Sequence, residues 1–351
     1  MEVSSPGRIC LFGEHQDYLG LPVIAMAMNL RLQINGRKRN DKKIIIHLPD
    51  IGKSVSFFIN NSINTKPENI FRSGVKICLE EGLNFSKGFE VEIISKIPIQ
   101  AGAGSSSALV VTWINFLSQI ADNPMLWNRE KIGQLAYKSE VLEFNLPGGM
   151  MDHYSSAFGN FIYLQSEPKI TIEKLNPNLG YFVLGDSCEP KDTIPILRRC
   201  RDMRLNIVQK LIKRDPNFDL HSQDQVDTSF LSKNEQNIFK ATINNRDILS
   251  KALPELNKDD PDSPFIGKCL LEHHEILRDV LDVSTIKIDN MLDAALDAGA
   301  LGGKITGSGG GGCMFAYAPN NPEIVAEAIE KAGGKSFIIN SDIGTSVLQN
   351  T

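Results

Sequence analysis

The sequence predicts a two-domain α+β protein, and three observations carry that expectation. The chain has 351 residues with 42% apolar and 23% charged side chains, enough for two cores of ordinary globular composition. Both halves interleave short β-branched or aromatic runs with stretches of helical spacing. No repeat or low-complexity segment interrupts them apart from one glycine run near the C-terminus. The boundary is expected near residues 165–180, dividing 1–172 from 173–351.

In the first half, "RLQING", "KIIIHL" and "KSVSFFI" read as a strand meander broken by "RKRNDKK" and "PDIGK". "PENIFRSGVKICLEEG" has Pro67 near its start and Gly82 near its end, so it reads as a helix. "FEVEIISKI" is a strand, and helices are expected over about Ser105–Ala121 and Arg129–Phe144, the second stopping at "NLPGG". "MMDHYSSAFG" reads as a short helix and "NFIYLQS" as a strand. The second half opens with the strand "GYFVLGDS" and a long helix over about Ile194–Lys213, followed by polar helical stretches through Leu281. "KRDPNFDLHSQDQVDTSFLSKNEQ" is expected to be a surface loop. Then come the amphipathic helix "TIKIDNMLDAALDAGA", the strand–loop–strand unit "GGKITGSGGGGCMFAYA", the helix "PEIVAEAIEKAGG" and the strand "KSFIIN".

Bulk properties exclude several function classes. The net charge of −5 argues against non-specific nucleic-acid binding. The six cysteines are scattered without a CxxC pair, so buried free thiols are expected rather than a zinc site or disulfide framework. "MEVSSPGRIC" has no basic region followed by an apolar run, and no apolar run approaches a membrane span, so the expectation is a soluble cytoplasmic protein without a signal peptide. His273 and His274 stand beside Glu272 and Glu275, which suggests an exposed helix face.

Three separated motifs carry chemistry. "KIPIQAGAGSSSALVV" crowds Gly102, Gly104 and Ser105 to Ser107 at the mouth of a helix. Helix starts leave N–H groups unpaired and favour negative charge, and glycines allow a close ligand approach, so an anion site and a serine-capped core helix are the two readings. "PGRICLFGEHQDYLG" sets Arg8, Glu14, His15 and Asp17 close together after an apolar strand. Such a set meets either a ligand or its own ion-pair partners. "KITGSGGGGCMF" has five glycines among the six residues 307–312, more than a hairpin needs. Its formal GxGxxG match has no following helix, and no Walker A lysine loop is present. Glu140 in a helix and Asp152 in "PGGMMDHY" add carboxylates of the kind that hold phosphate-bound Mg²⁺. A phosphate cradle, a metal clamp, a cation and a hydroxyl-positioning group are the parts of phosphoryl transfer.

Taken in chain order, the motifs resemble those of the GHMP kinase superfamily, which includes galactokinase, homoserine kinase, mevalonate kinase and phosphomevalonate kinase. The resemblance spans about residues 6–315. It implies an N-terminal domain resembling ribosomal S5 domain 2, a ferredoxin-like C-terminal domain and an active site between them. By motif position, Gly102, Ala103, Gly104, Ser105, Ser106, Ser107 and Ala108 would bind ATP, with Ser106 and Glu140 on Mg²⁺. Asp152 would be the catalytic aspartate with Arg8 as its basic partner. The glycine loop, through Gly307, Gly309, Gly310 and Gly311, would close over phosphates and substrate.

Within the superfamily, "GRICLFGEHQDYLG" and "PGGMMDHY" most resemble the galactokinase signatures, which place Glu14, His15, Asp17, Gly149 and Asp152 around the acceptor. Mevalonate kinases carry Gly-Glu-His but apolar residues where Asp17 and Tyr18 stand. Three features depart from galactokinases: the "GSGGGGC" loop is closer to mevalonate kinase, Pro6 starts the first motif without the expected N-terminal extension, and "TIPILRRCRD" lacks the expected tyrosine. The resemblance thus implies a galactokinase-like sugar 1-kinase, monomeric or homodimeric, acting on a small molecule and on neither membrane nor nucleic acid. Mevalonate kinase and a non-catalytic, ligand-binding galactokinase relative are the alternatives. The acidic pair Glu14 and Asp17 would favour a neutral sugar over an anionic acceptor.

Overall fold

The structure is a computed structural model that describes residues 1–61, 69–99, 101–222 and 226–348. The first half builds an eight-stranded sheet whose spine is β2 (Val23–Lys38). This strand is much longer than the "RLQING" segment expected. Its first residues, Val23 to Met28, are fully buried and read as apolar rather than alternating. β1 (Glu2–Phe12) pairs antiparallel with β2, with register shifts between Pro6 and Arg8 and between Cys10 and Phe12. β3 (Lys43–Leu48) and β4 (Lys53–Phe58) form a hairpin, and β3 runs parallel to β5 (Phe89–Ser95). β6 (Phe161–Gln165) pairs with the start of β2 and with β7 (Thr171–Leu175), a strand the sequence did not announce.

Four helices cover this sheet: α1 (Ile70–Glu80), α2 (Ser105–Ile120), α3 (Arg129–Tyr137) and α4 (Met151–Phe158). α2 is buried almost all round, as expected for a helix apolar on every face. Its Trp113 and Phe116 stack with ring centroids 5.9 Å apart and meet Phe89 and Phe71. The expected helix through Phe144 stops at Tyr137 and continues as one π turn, Lys138–Leu142. There the Ser139 carbonyl accepts a 2.7 Å bond from the Ser73 hydroxyl, while the Ser139 hydroxyl donates to Ala136 O. Pro67 lies outside the described residues.

The second half holds β8 (Phe182–Asp186), α5 (Thr193–Arg214), α6 (Lys233–Leu256), α7 (Ser263–Asp279), α8 (Ile286–Asp297), β9 (Gly302–Ile305), β10 (Cys313–Tyr317), α9 (Pro322–Lys331) and β11 (Lys335–Ile339). The sheet order β11–β8–β10–β9, all antiparallel, is the ferredoxin-like arrangement. Its core joins Val183, Ile305 and Met314 to Met291 and Ile329 of α8 and α9. Among the described residues no helix is long and apolar enough to cross a membrane.

Four expectations need correction. The chain's last strand, β12 (Ser346–Leu348), returns to the first sheet beside β1, and β7 runs across the 172/173 boundary. The two domains therefore share the chain differently from 1–172 and 173–351. Arg31 ties this returning segment down through Asp342, Ile343 O and Gly344 O. His273 and His274 are buried, not exposed: His273 stacks on Phe12 at 6.4 Å, and His274 bonds Asp289 and the Ile305 N–H. The polar loop after α5 buries Phe218, Leu220 and Leu231 against α5 and α6; its residues 223–225 lie outside the described residues. Cys188 is exposed, while the other five cysteines are buried as free thiols.

Candidate active site

A cleft of about 700 Å³ opens between the two halves, lined from one side by the helix mouth and from the other by residues 191–194, Leu197, Gly307 and Ser308. The helix mouth is built by backbone conformation. Gly102 and Gly104 take φ of +84° and +75°, the left-handed region that favours glycine. Gly104 immediately precedes α2 and has no side chain to cap it, so the first N–H groups of α2 face the cleft. Ser105, Ser106 and Ser107 line it. Ala103 and Ala108 are fully buried behind the loop and do not.

Arg8 sits where β1 loses register, and its N–H bonds Ala103 O at 3.0 Å instead of continuing the ladder. This brings its guanidinium under the helix mouth. Arg8 Nε and Nη2 donate to both oxygens of Asp152, at 2.7 and 2.5 Å, and Nη1 donates to Gly102 O at 2.6 Å. Burial opposes the charge, yet the Asp152 and Glu14 carboxylates raise the Arg8 pKa above its ordinary value. Asp152 stands in the first turn of α4 and keeps partial exposure to the cleft.

Glu140 projects from the π turn toward α2. It accepts hydrogen bonds from the hydroxyls of Ser106 and Ser107 and meets His153 Nε2 at 2.6 Å. Burial alone would raise this carboxyl, but the His153 and serine contacts outweigh it and hold it below its ordinary value. One carboxylate and one hydroxyl at a helix mouth fit Mg²⁺, which keeps few protein ligands and takes the rest from phosphates and water. Among the described residues no group of three or more His, Cys, Asp or Glu side chains stands ready to cage a metal alone.

The acidic motif folds differently from its sequence reading. Glu14 is buried and paired at 2.9 Å with Lys304, itself fully buried. His15 Nε2 lies 3.1 Å from Ser308 O and Nδ1 3.0 Å from Tyr18 OH. The carbonyl can only accept, so Nε2 carries the proton and Nδ1 accepts from the tyrosine. Burial and the nearby Arg204 charge push His15 down to about 3, so its ring is neutral. Asp17 lines the cleft and accepts from the N–H groups of Tyr18 at 2.9 Å and Met151 at 3.3 Å. Burial, then the Asp152 charge, push it up to about 6. Gly149 is required here: a methyl group on it would stand 1.8 Å from Asp17 Oδ2.

Of the glycine loop, Gly307 and Ser308 line the cleft. Gly309, Gly310 and Gly311 do not; they pack against Val283, Ile196 and Glu189. Gly307 is pressed on the helix mouth, where a methyl group would come 2.6 Å from Gly102 O. The structure thus gathers Arg8, Glu14, His15, Asp17, Gly102, Gly104, Ser105 to Ser107, Glu140, Gly149, Asp152 and Gly307 around one cleft. Sequence reasoning missed His153, Lys191, Lys304 and Ser308. The neighbour of Asp152 and the lysine before the glycine run were the only local hints of two of them.

The sequence matches the GHMP kinases N terminal domain over residues 69–160, the GHMP kinases C terminal domain over 252–335 and the galactokinase galactose-binding signature over 1–38. A mevalonate kinase of Thermococcus gammatolerans is 32% identical over 348 residues, covering 95% of this chain and 94% of that protein. A galactokinase of Haemophilus influenzae is 26% identical over 349 residues, covering 95% and 90%. The solved structure of Lactococcus lactis galactokinase complexed with galactose superposes with a TM-score of 0.86 at 21% identity, covering 99% of this chain and 95% of that one, a likeness of fold. The chain therefore belongs to the GHMP kinase family of ATP-dependent phosphotransferases.

Proposed function

We propose that this cleft transfers the γ-phosphoryl group of ATP to a hydroxyl of mevalonate. The observation that carries the choice of acceptor is the whole-length identity of 32% to a mevalonate kinase, against 26% to a galactokinase. The site agrees with it. The sugar 1-kinase expectation came from the galactokinase-like motifs, and its added argument was that two carboxylates would repel an anionic acceptor; one of them, Glu14, is neutralised by Lys304. The other, Asp17, has its proton affinity raised toward neutrality. In this reading Gly102, Gly104 and Ser105 to Ser107 cradle the phosphates, and Ser106 and Glu140 hold Mg²⁺, which neutralises phosphate charge when bound. Arg8 fixes both oxygens of Asp152, which receives or orients the acceptor's hydroxyl proton.

A sugar 1-kinase is the second reading, favoured by the galactose-binding signature over residues 1–38 and by Asp17 itself. Coupled ADP release across mevalonate, galactose, other aldoses, deoxysugars and uronic acids separates the two. Mevalonate is expected to be the best acceptor. A sugar with higher kcat/KM overturns the acceptor assignment, and nucleotide binding without turnover on any acceptor makes the chain a non-catalytic relative.

A further inference from the structure

Phosphoryl transfer concentrates negative charge on the group in transit, and a site for it normally aims a cation there. The P-loop solution, a lysine in the phosphate loop, is absent from this sequence. The cations around the cleft are mostly bound elsewhere. Arg8 holds Asp152 and Gly102 O, Lys304 holds Glu14, and Arg204 donates to His15 O, Cys200 O and Tyr18.

Lys191 differs. It lies in the loop between β8 and α5 and lines the cleft, half-buried. Its Nζ donates to Ser308 Oγ at 3.1 Å, and among the described residues it has no carboxylate within ion-pair distance. A methyl group on Gly102 would stand 2.7 Å from this Nζ and 2.7 Å from Thr306 O, so the ammonium sits where the helix mouth and the glycine loop meet. Burial, then the Arg8 charge, push it down to about 8; Cys313, Glu14 and Asp152 act the other way. A partly desolvated ammonium satisfied by one hydroxyl is costly to hold unless an anion completes its shell. The groups it touches belong to the two loops that border the phosphates.

We propose that Lys191 supplies the positive charge that meets the phosphoryl group in transit between ATP and the acceptor. The proposal rests on the phosphotransferase reading of this cleft and not on which acceptor it takes. Ser308 holds the ammonium through its hydroxyl, which also reaches Thr193 Oγ1 at 3.4 Å, so the lysine is positioned before substrate arrives.

The test compares wild type, Lys191→Met and Lys191→Arg by steady-state kinetics with ATP and mevalonate, and by calorimetric titration with Mg·ADP, Mg·AMPPNP and mevalonate. Lys191→Met is expected to lower kcat by about 10²–10³, the scale for loss of one transition-state donor. It should weaken AMPPNP about tenfold, as for a charged hydrogen bond, while ADP and mevalonate affinities stay within about twofold. Lys191→Arg should restore part of both losses. Weakening of mevalonate alone would assign the cation to the acceptor's carboxylate and overturn the proposal. So would equal weakening of ADP and AMPPNP, or an unchanged kcat with only a lower melting temperature. If Lys191→Met does not fold, Lys191→Gln carries the same comparison. A wild type inert with ATP and every acceptor fails the phosphotransferase reading itself, whereas equal turnover by wild type and Lys191→Met fails only the role of Lys191.

Discussion

Replacing Asp17 by Asn should stabilise the fold and change acceptor recognition together. In the folded chain the Asp17 carboxyl is raised from its ordinary 3.8 to about 6, first by burial and then by Asp152. The sign follows from proton linkage. Below about pH 4 both folded and unfolded chains carry the proton and the carboxyl costs nothing. Between the two values the unfolded chain releases its proton first, so stability falls as pH rises, and above about 6 the full cost applies. At about 1.4 kcal/mol per tenfold change in proton affinity, that cost is at most about 3 kcal/mol at pH 7. The amide loses one backbone partner, since the carboxylate accepts from both Tyr18 and Met151, which returns about 1 kcal/mol. A net gain of about 1–2 kcal/mol is expected at pH 7.5, shrinking toward pH 5. The assay is denaturant unfolding of both proteins at the two pH values, beside acceptor KM at pH 7.5. A variant less stable than wild type at pH 7.5, or a gain that does not shrink at pH 5, would refute the reasoning. Unchanged acceptor KM would show that the cost serves no recognition.

Asp152→Asn is expected to lower kcat by about 10²–10⁴ while nucleotide and acceptor binding survive, the range for loss of a proton-transfer group; stopped-clock ADP release with folding checked by circular dichroism measures it, and near-normal turnover refutes the role. Ser106→Ala and Glu140→Gln should each raise the Mg²⁺ concentration for half-maximal rate, because they remove the hydroxyl and the ionised carboxylate that face each other at the helix mouth. An unchanged Mg²⁺ titration would leave Glu140 as a brace for His153 and the serines only.

What was legible in the sequence was local. The helix mouth announced itself because glycine and serine crowding changes backbone conformation within six residues, and α2 begins at the expected Ser105. Arg8 was legible as a charge inside an otherwise apolar run, in the middle of β1. The partners of these groups were not, because they lie far along the chain. Glu14 meets Lys304 290 residues away, and Lys191 meets Ser308 117 residues away. β12 is three residues long and reads as strand only because β1 offers it an edge. Helical spacing put charged neighbours beside His273 and His274, yet the imidazoles themselves point inward and are buried. The π turn at Glu140 preserves helical periodicity closely enough that sequence reads straight through it; the Ser73 hydroxyl that holds Ser139 O comes from another helix.

The same distinction bears on how an acceptor is read from the motif. "GEHQDY" shows two carboxylates, but a site's charge is set by the pairs the fold makes. Glu14 faces Lys304 and Asp152 faces Arg8, so each cancels over a distance of about 3 Å. Among the described residues, Asp17 and Lys191 face the cleft without a side chain of opposite charge in contact. Asp50 and Asp192 also line the cleft, so its wall carries both signs of charge rather than being uniformly acidic. Asp17 can accept a hydrogen bond from a hydroxyl of either acceptor class; its presence favours a sugar, and its titration tests that preference. A neutral sugar gains from the ionised form, so its KM should rise as pH falls through about 6. A carboxylate-bearing acceptor is repelled by that form, so its KM should fall over the same interval. The direction of one pH titration therefore reads out the acceptor class from the residue at which the two families' motifs differ.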